Sequence, residues 1–397
     1  MQNYQRICFA ALFTVIFAGA VLTGCNEPEQ TELPPEFHEE MIADSLVSTG
    51  NTARLNRVFE KAQAGEDITI TYVGGSATEG YGVDIRSPEC YASLTSAEFQ
   101  EHYCCGGTVT CQNVGYGGTS SLMGCLRADS AVLSSHPDIV FVEYAISDGT
   151  SDVYQTAYES LVRTCLESPD APAVILLFTY KENGYSCQEQ QEKIGAYYDL
   201  GMISLGDALE PRLEDGRMTW SEYSKDNSYP SENGHRLLAD MTAYYFEAAK
   251  NQKPDQDYEI PAESLSGDLY RNGSFCDSSN VPYSCGSWEI GSHNNILNKG
   301  FVHQPDSGNT PLTMDVSGRV LFLVYKKYSD PTWGIAEIYV NGEPVNMISA
   351  NYPNCFGGAA VNLIAEYNTV QDMHVEIKML DDQANRSFEV LALGVCE

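Results

Sequence analysis

Basic residues are scarce in this sequence. Twenty-two Lys and Arg stand against 55 Asp and Glu, a formal net charge of −33 at pH 7 over 397 residues. A chain this acidic repels phosphate backbones and anionic surfaces, which argues against nucleic acid as a partner. Acidity of this kind serves solubility outside a cell without any further role. Cys104, Cys105 and Cys111 lack the Cys-X-X-Cys spacing of common zinc sites, so metal binding there has little support. The apolar run from Ile7 to Leu22 lacks the length for a comfortable membrane span.

What that run does have is Arg6 as the only charge before it and Leu22-Thr23-Gly24-Cys25 at its end. Small residues ahead of a cysteine are what a lipoprotein signal peptidase accepts. Residues 1–25 therefore read as a lipoprotein signal peptide, and diacylation of Cys25 would anchor the mature chain. The expected location is a bacterial membrane, facing the extracytoplasmic side, with the membrane as a partner through the lipid. Setting aside Cys8 and Cys25 leaves 11 of the 13 cysteines, and export makes disulfides the default for them. Their pairing stays open, and the odd count leaves one thiol over.

Three hundred and ninety-seven residues exceed one ordinary core, so two domains are expected. Residues 26–50 open with seven acidic residues and three prolines in 26–45 and no apolar period, which predicts a disordered acidic tether. Leu55, Val58, Phe59 and Ala62 recur at helical spacing, with Gly65 as the stop. Over 51–250 the apolar runs ITITYV (68–73), VTCQNV (109–114), DIVFVEYA (138–145), AVILLFTY (173–180) and GMISLGDAL (201–209) alternate with helical segments. Those are Val153 to Leu166, Gln188 to Leu200 and His235 to Ala249. Near-continuous apolar strands separated by helices mean an α/β fold, a parallel sheet covered on both faces, with ligands at the carboxyl ends of its strands. Residues 251–262 are polar and carry prolines, and read as a linker. Over 263–397 the runs RVLFLVYKKY, IAEIYVNGEPV, VNLIAEYN, HVEIKML and SFEVLALGV show no helical period, and Asn341-Gly342 marks a hairpin. An antiparallel β-sandwich is expected there.

A serine attacks an ester when its hydroxyl is exposed near a base and near donors for the oxyanion. GGSATEG (74–80) follows the first parallel strand and would hold Ser76 at such a turn, although glycine turns in that place also cradle phosphates. NVGYGGTS (113–120) follows the next strand and can offer the Gly118 amide. With DIVFVEYAISD (138–148) and WSEYSKDNSYPSENGH (220–235), these segments resemble the SGNH hydrolases, also called the GDSL-type lipase and acylhydrolase family, over residues 53–250. The resemblance implies a flavodoxin-like α/β/α domain that cleaves acyl esters on carbohydrates, lipids or small molecules and needs no cofactor or metal. An ester or glycan ligand is the partner it implies.

Carried over by position, Ser76 matches the family's nucleophile, Gly118 its second-block oxyanion donor, and Asp226 the acid that orients the catalytic histidine. Two positions depart from the pattern. Ser147 stands where the family has asparagine, and Tyr229 stands where it has histidine, while Asp148, Pro230, Gly234 and His235 keep the flanking register. A serine at 147 can still donate, and loss of one oxyanion donor costs roughly 10² to 10³ in rate. A phenol with a reference pKa of ~10 cannot readily take the proton of Ser76. His235 is a remote substitute base, His136 falls at the wrong end of the sheet, and His102 lies in a cysteine-rich insertion without an expected structure. Asp148 reads as a loop brace, and Arg127 and Arg163 as structural ion-pair formers. Trp288 and Trp333 are candidates for stacking on sugars, or for the sandwich core.

Overall fold

The computed structural model describes residues 35–397, so the signal peptide, Cys25 and the first part of the tether lie outside the described residues. From Pro35 the chain is folded, which corrects the expectation of a disordered tether up to residue 50. Helix α1 (Pro35–Asp44) leads into strand β1 (Leu46–Ser48), which joins the edge of the central sheet antiparallel. A few apolar contacts suffice for this. Met41 is fully buried, Ile42 and Leu46 pack beside it, and Asp44 lies 2.8 Å from the buried guanidinium of Arg212.

The α/β domain continues as α2 (Ala53–Gln63), β2 (Ile68–Gly74), α3 (Ser76–Glu79), α4 (Tyr91–Tyr103), β3 (Val109–Asn113) and α5 (Ser121–Leu126). Then come β4 (Ile139–Glu143), α6 (Asp152–Leu166), β5 (Ala173–Phe178), α7 (Gln188–Tyr197), β6 (Gly201–Ser204), α8 (Leu205–Glu214) and α9 (Glu232–Asn251). The strand order is β1-β6-β5-β4-β2-β3, parallel except for β1. Gly65, at φ +81°, follows α2 as expected. The run GMISLGDAL is not one strand. Ser204 Oγ accepts the Asp207 N–H at 2.9 Å and caps α8, so the strand stops at the cap. The cysteine-rich insertion forms α4, which packs Tyr91 and Phe99 into the layer with α9.

After α9 the chain stays on this domain's surface. Glu159, fully buried on α6, accepts the N–H groups of Leu265, Ser266 and Gly267 and the Tyr198 hydroxyl, which fixes the exit path. The second domain is all-antiparallel: β7 (Ser274–Cys276), β8 (Tyr283–Ser284), β9 (Glu289–Ile290), β10 (Phe301–His303), β11 (Leu312–Tyr328), β12 (Ile335–Val340), β13 (Glu343–Ser349), β14 (Phe356–Met379) and β15 (Phe388–Cys396). Nine strands join in the order β13-β12-β14-β11-β15-β10-β9, with β7 on β15 and β8 on β11. The runs VNLIAEYN and HVEIKML, expected as two strands, are one bent strand, β14, paired along β11. Asn341 and Gly342, at φ +53° and +84°, make the expected hairpin turn.

The two long strands carry bulges, and a bulge shifts which face a side chain takes. Before Gly318 on β11, Leu312, Met314 and Val316 point into the sandwich core. Beyond it, Leu321, Leu323 and Tyr325 do so, while Val320, Phe322 and Val324 join the buried cluster that holds Leu126, Tyr158 and Leu161 of the first domain. Gly394 allows that approach, since a Cβ there would lie 2.5 Å from a Leu126 methyl carbon.

No disulfide joins the eleven cysteines from Cys90 to Cys396. All are free thiols, contrary to expectation. Cys90, Cys125, Cys165, Cys187, Cys276 and Cys396 are buried on separate elements, where a thiol packs as a small apolar group.

Candidate active site

The turn after β2 is glycine for steric reasons. A Cβ on Gly74 would lie 2.2 Å from Thr78 Oγ1 and 2.5 Å from the Glu143 carbonyl oxygen. Gly75 donates its N–H to that carbonyl at 3.2 Å. Ser76 begins α3, largely buried, and its Oγ accepts the N–H of Gly118 at 3.2 Å. Gly118 holds φ +74°, open to glycine and strained for other residues. A Cβ on Gly75 would lie 2.3 Å from Ser147 Oγ, which places that hydroxyl beside the Ser76 turn. Ser76, Gly118 and Ser147 therefore converge at the carboxyl ends of β2, β3 and β4.

Asp226 and Tyr229 come from the segment between α8 and α9. Asp226 Oδ1 accepts the N–H groups of Ser228 and Tyr229, both at 2.7 Å, so the carboxylate is engaged with its own loop. The Tyr229 ring lies 5.2 Å from that of Tyr81, and Tyr81 in turn borders Gly117. Tyr229 thus stands at the rim of the donor loop, with no hydrogen bond to Ser76.

His235 is not free to replace it. The ring is fully buried, Nδ1 accepts the Tyr91 N–H at 3.1 Å, and Nε2 lies 3.1 Å from the Tyr81 carbonyl oxygen, which fixes the proton on Nε2. Burial drives its pKa down to about 4. His136 pairs with Asp170 below β4, His38 with Asp240, and His374 with Asp315. His102 lines a groove with His38 between α4 and α9, and His303 is buried between two carbonyl oxygens. His293 pairs with buried Glu389. None of the seven hydrogen-bonds to Ser76.

Two carboxyls sit behind the turn. Glu143 is fully buried and takes hydrogen bonds from Thr78 Oγ1 (2.9 Å) and Thr179 Oγ1 (2.6 Å), and burial pushes its pKa up to about 7. Asp148 accepts the Ser121 N–H at 2.8 Å and the Gln191 amide at 3.2 Å, and burial pushes it up to about 8. It braces the start of α5. Arg127 donates to the Val114 carbonyl under the Tyr116 ring, and Arg163 binds Glu167 and the linker carbonyls, so both hold structure. No group of three His, Cys, Asp or Glu among the described residues is placed to hold a metal.

The second domain also borders the site, through residues that no sequence motif marks. A Cβ on Gly118 would lie 3.9 Å from Gly358 Cα at the start of β14, and Asn294 donates to the Tyr116 hydroxyl. Nearby, Tyr328 and half-buried Trp333 stack at 5.8 Å, with the Lys326 ammonium over both rings. Trp288 is in the sandwich core against His303. The arrangement can seat an acyl carbonyl against the Gly118 amide and the Ser147 hydroxyl, and among the described residues no histidine hydrogen-bonds to Ser76.

No protein-family model matches the sequence, and no curated protein matches it. The fold does match solved structures. A two-domain esterase active on acetylated mannans aligns at 24% identity over 89% of this chain and 98% of its own, with a TM-score of 0.81. A structure of the same description, co-crystallised with mannopentaose, aligns at 25% identity over 89% and 97%, with a TM-score of 0.79. The likeness spans both domains. The chain shares the two-domain fold of those structures, a parallel α/β domain followed by an all-β domain.

Proposed function

We propose that the protein is an SGNH-type ester hydrolase of acetylated carbohydrates or related esters outside the cell, held to the membrane by lipid on Cys25, with turnover weakened or lost. One observation carries the reading: the Gly118 amide is set on Ser76 Oγ at the carboxyl end of the parallel sheet. A bound acyl ester would place its carbonyl oxygen on that amide and on Ser147. Ser76 Oγ would form the new C–O bond, the alcohol would leave, and water would later release the acid. The Ser76 proton needs an acceptor, and Tyr229 is a poor one. The mannan-esterase likeness over both domains and the aromatic pair of exposed Tyr328 and half-buried Trp333 beside Gly357 support a carbohydrate as the acyl carrier.

A second reading is a pseudoenzyme that binds a glycan or acyl ligand in the same cleft. Asp226 turned onto its own loop and His235 locked between Tyr91 and Tyr81 favour it.

The test is hydrolysis of a short-chain chromogenic acetyl ester and of acetylated manno-oligosaccharides by the full chain, beside Ser76→Ala and Tyr229→His. A rate lost in Ser76→Ala excludes the pseudoenzyme. Absence of a serine-dependent rate in every form, together with retention on acetylated glycan, selects it. Cys25→Ala should move the protein from the membrane fraction to the soluble one, and continued membrane retention would refute the lipid anchor.

A further inference from the structure

Glu79 lies three residues beyond Ser76, at the end of α3, and only 9% of it is exposed. Its Oε2 accepts the N–H of Gly117 at 2.6 Å, and Oε1 lies 3.1 Å from Arg86 Nη2. Arg86 closes the circuit on the same loop, with Nη2 donating to the Gly115 carbonyl at 2.7 Å and Nε to the Asn113 carbonyl at 3.2 Å. Asn113 adds a bond from its side-chain amide to the Thr78 carbonyl at 2.6 Å. Consecutive amides of the donor loop thus face one short helix. Gly117 points at the Glu79 carboxylate and Gly118 at Ser76 Oγ. The glycines follow from the contact, because a Cβ on Gly117 would lie 2.8 Å from Glu79 Oε2 and from the Tyr81 ring, and one on Gly115 2.5 Å from the Glu79 nitrogen.

We propose that Glu79, held by Arg86, is a positioning residue that aims the Gly118 amide at the oxyanion of a Ser76 adduct. This rests on the reading of Ser76 as a nucleophile. With the carboxylate gone, the Gly117 N–H loses its acceptor and the peptide joining it to Gly118 is free to turn, which takes the second amide off line. Arg86 works through Glu79 and through the carbonyls it grips. A carboxylate with a purely structural role would stabilise the fold without governing the affinity of a tetrahedral ligand.

A boronic acid separates the two, since it forms a tetrahedral adduct with a serine hydroxyl and places an oxygen in the donor site. Binding of a methyl- or phenylboronic acid to the full chain is measured for wild type, Ser76→Ala, Glu79→Ala and Glu79→Gln, with hydrogen exchange of the 113–120 segment followed in parallel. Loss of a whole donor costs roughly 10² to 10³, so a mis-aimed one should weaken the boronate on the order of 10-fold in Glu79→Ala. Glu79→Gln keeps an acceptor for the Gly117 N–H and should restore most of that loss. Exchange at Gly117 and Gly118 should quicken in the alanine variant and not in the glutamine one. Wild-type affinity in a folded Glu79→Ala, with binding still lost in Ser76→Ala, overturns the proposal, as does unchanged exchange. A boronate that wild type does not bind, or that Ser76→Ala binds equally, counts against the nucleophile reading alone, and exchange then decides on Glu79.

Discussion

Glu143 and Asp148 lie behind the Ser76 turn as carboxyls that favour the protonated form when folded. Both titrate higher in the folded chain than in an unfolded one, because burial disfavours the charge. The folded protein therefore holds protons that the unfolded chain releases above about pH 4. Stability from this source is greatest below that pH and is lost as pH rises toward 7 and 8. His235 acts in the opposite sense, because its folded pKa is depressed and its share of stability is lost as pH falls from about 6.5 toward 4. Glu143→Gln should accordingly raise the melting midpoint at pH 8 and leave it nearly unchanged at pH 4, as measured by thermal scans across pH. Tyr229→His should gain about 10²-fold or more on an acetyl ester, the usual worth of a general base, and the gain should vanish when Ser76→Ala is added. Ser76, Gly118 and Ser147 were legible in the sequence because each follows its strand by a few residues, so local order alone brings them together. Glu79 was not, because the amide it holds lies 38 positions away and nothing in GGSATEG marks that contact.

Among the elements, the parallel strands and the long helices α2, α6 and α9 follow their apolar patterns closely. The errors have physical causes. The segment 35–48 reads as a tether because its scattered apolar residues among acids show no period, yet Met41, Ile42 and Leu46 need only one face of a short helix and one edge of a sheet. Deleting residues 35–48 should bare the edge of β6 and cost about 2–4 kcal/mol from Met41 and its neighbours, seen as a lower midpoint and as association of the shortened chain. Equal stability of the two lengths would contradict this packing. The sequence pattern splits β14 in two because charged and exposed residues interrupt its apolar runs near Asp372, where the pairing with β11 shifts register and a continuous pattern is not required.

At the scale of the whole molecule, the two domains share a face. Phe322, Val324, Leu391 and Ala392 are buried against the layer that holds α5 and α6, and each large side chain so buried is worth roughly 1.5–3 kcal/mol. The chain should unfold in one calorimetric transition, and a fragment ending at residue 262 should aggregate because the α5 surface loses its cover. Two well-separated transitions would show that the face contributes little. Sequence alone placed a domain change near residue 262 without indicating that the later domain reaches the donor loop, since Gly358 and Asn294 carry no motif. The bulge in β11 has a consequence for how such sequences can drift. Beyond Gly318, odd positions answer to the sandwich and even positions to the α/β domain. Substitutions along this one strand should therefore fall into two interleaved sets, one changing in step with β14 and Phe388, the other with Leu126 and Tyr158.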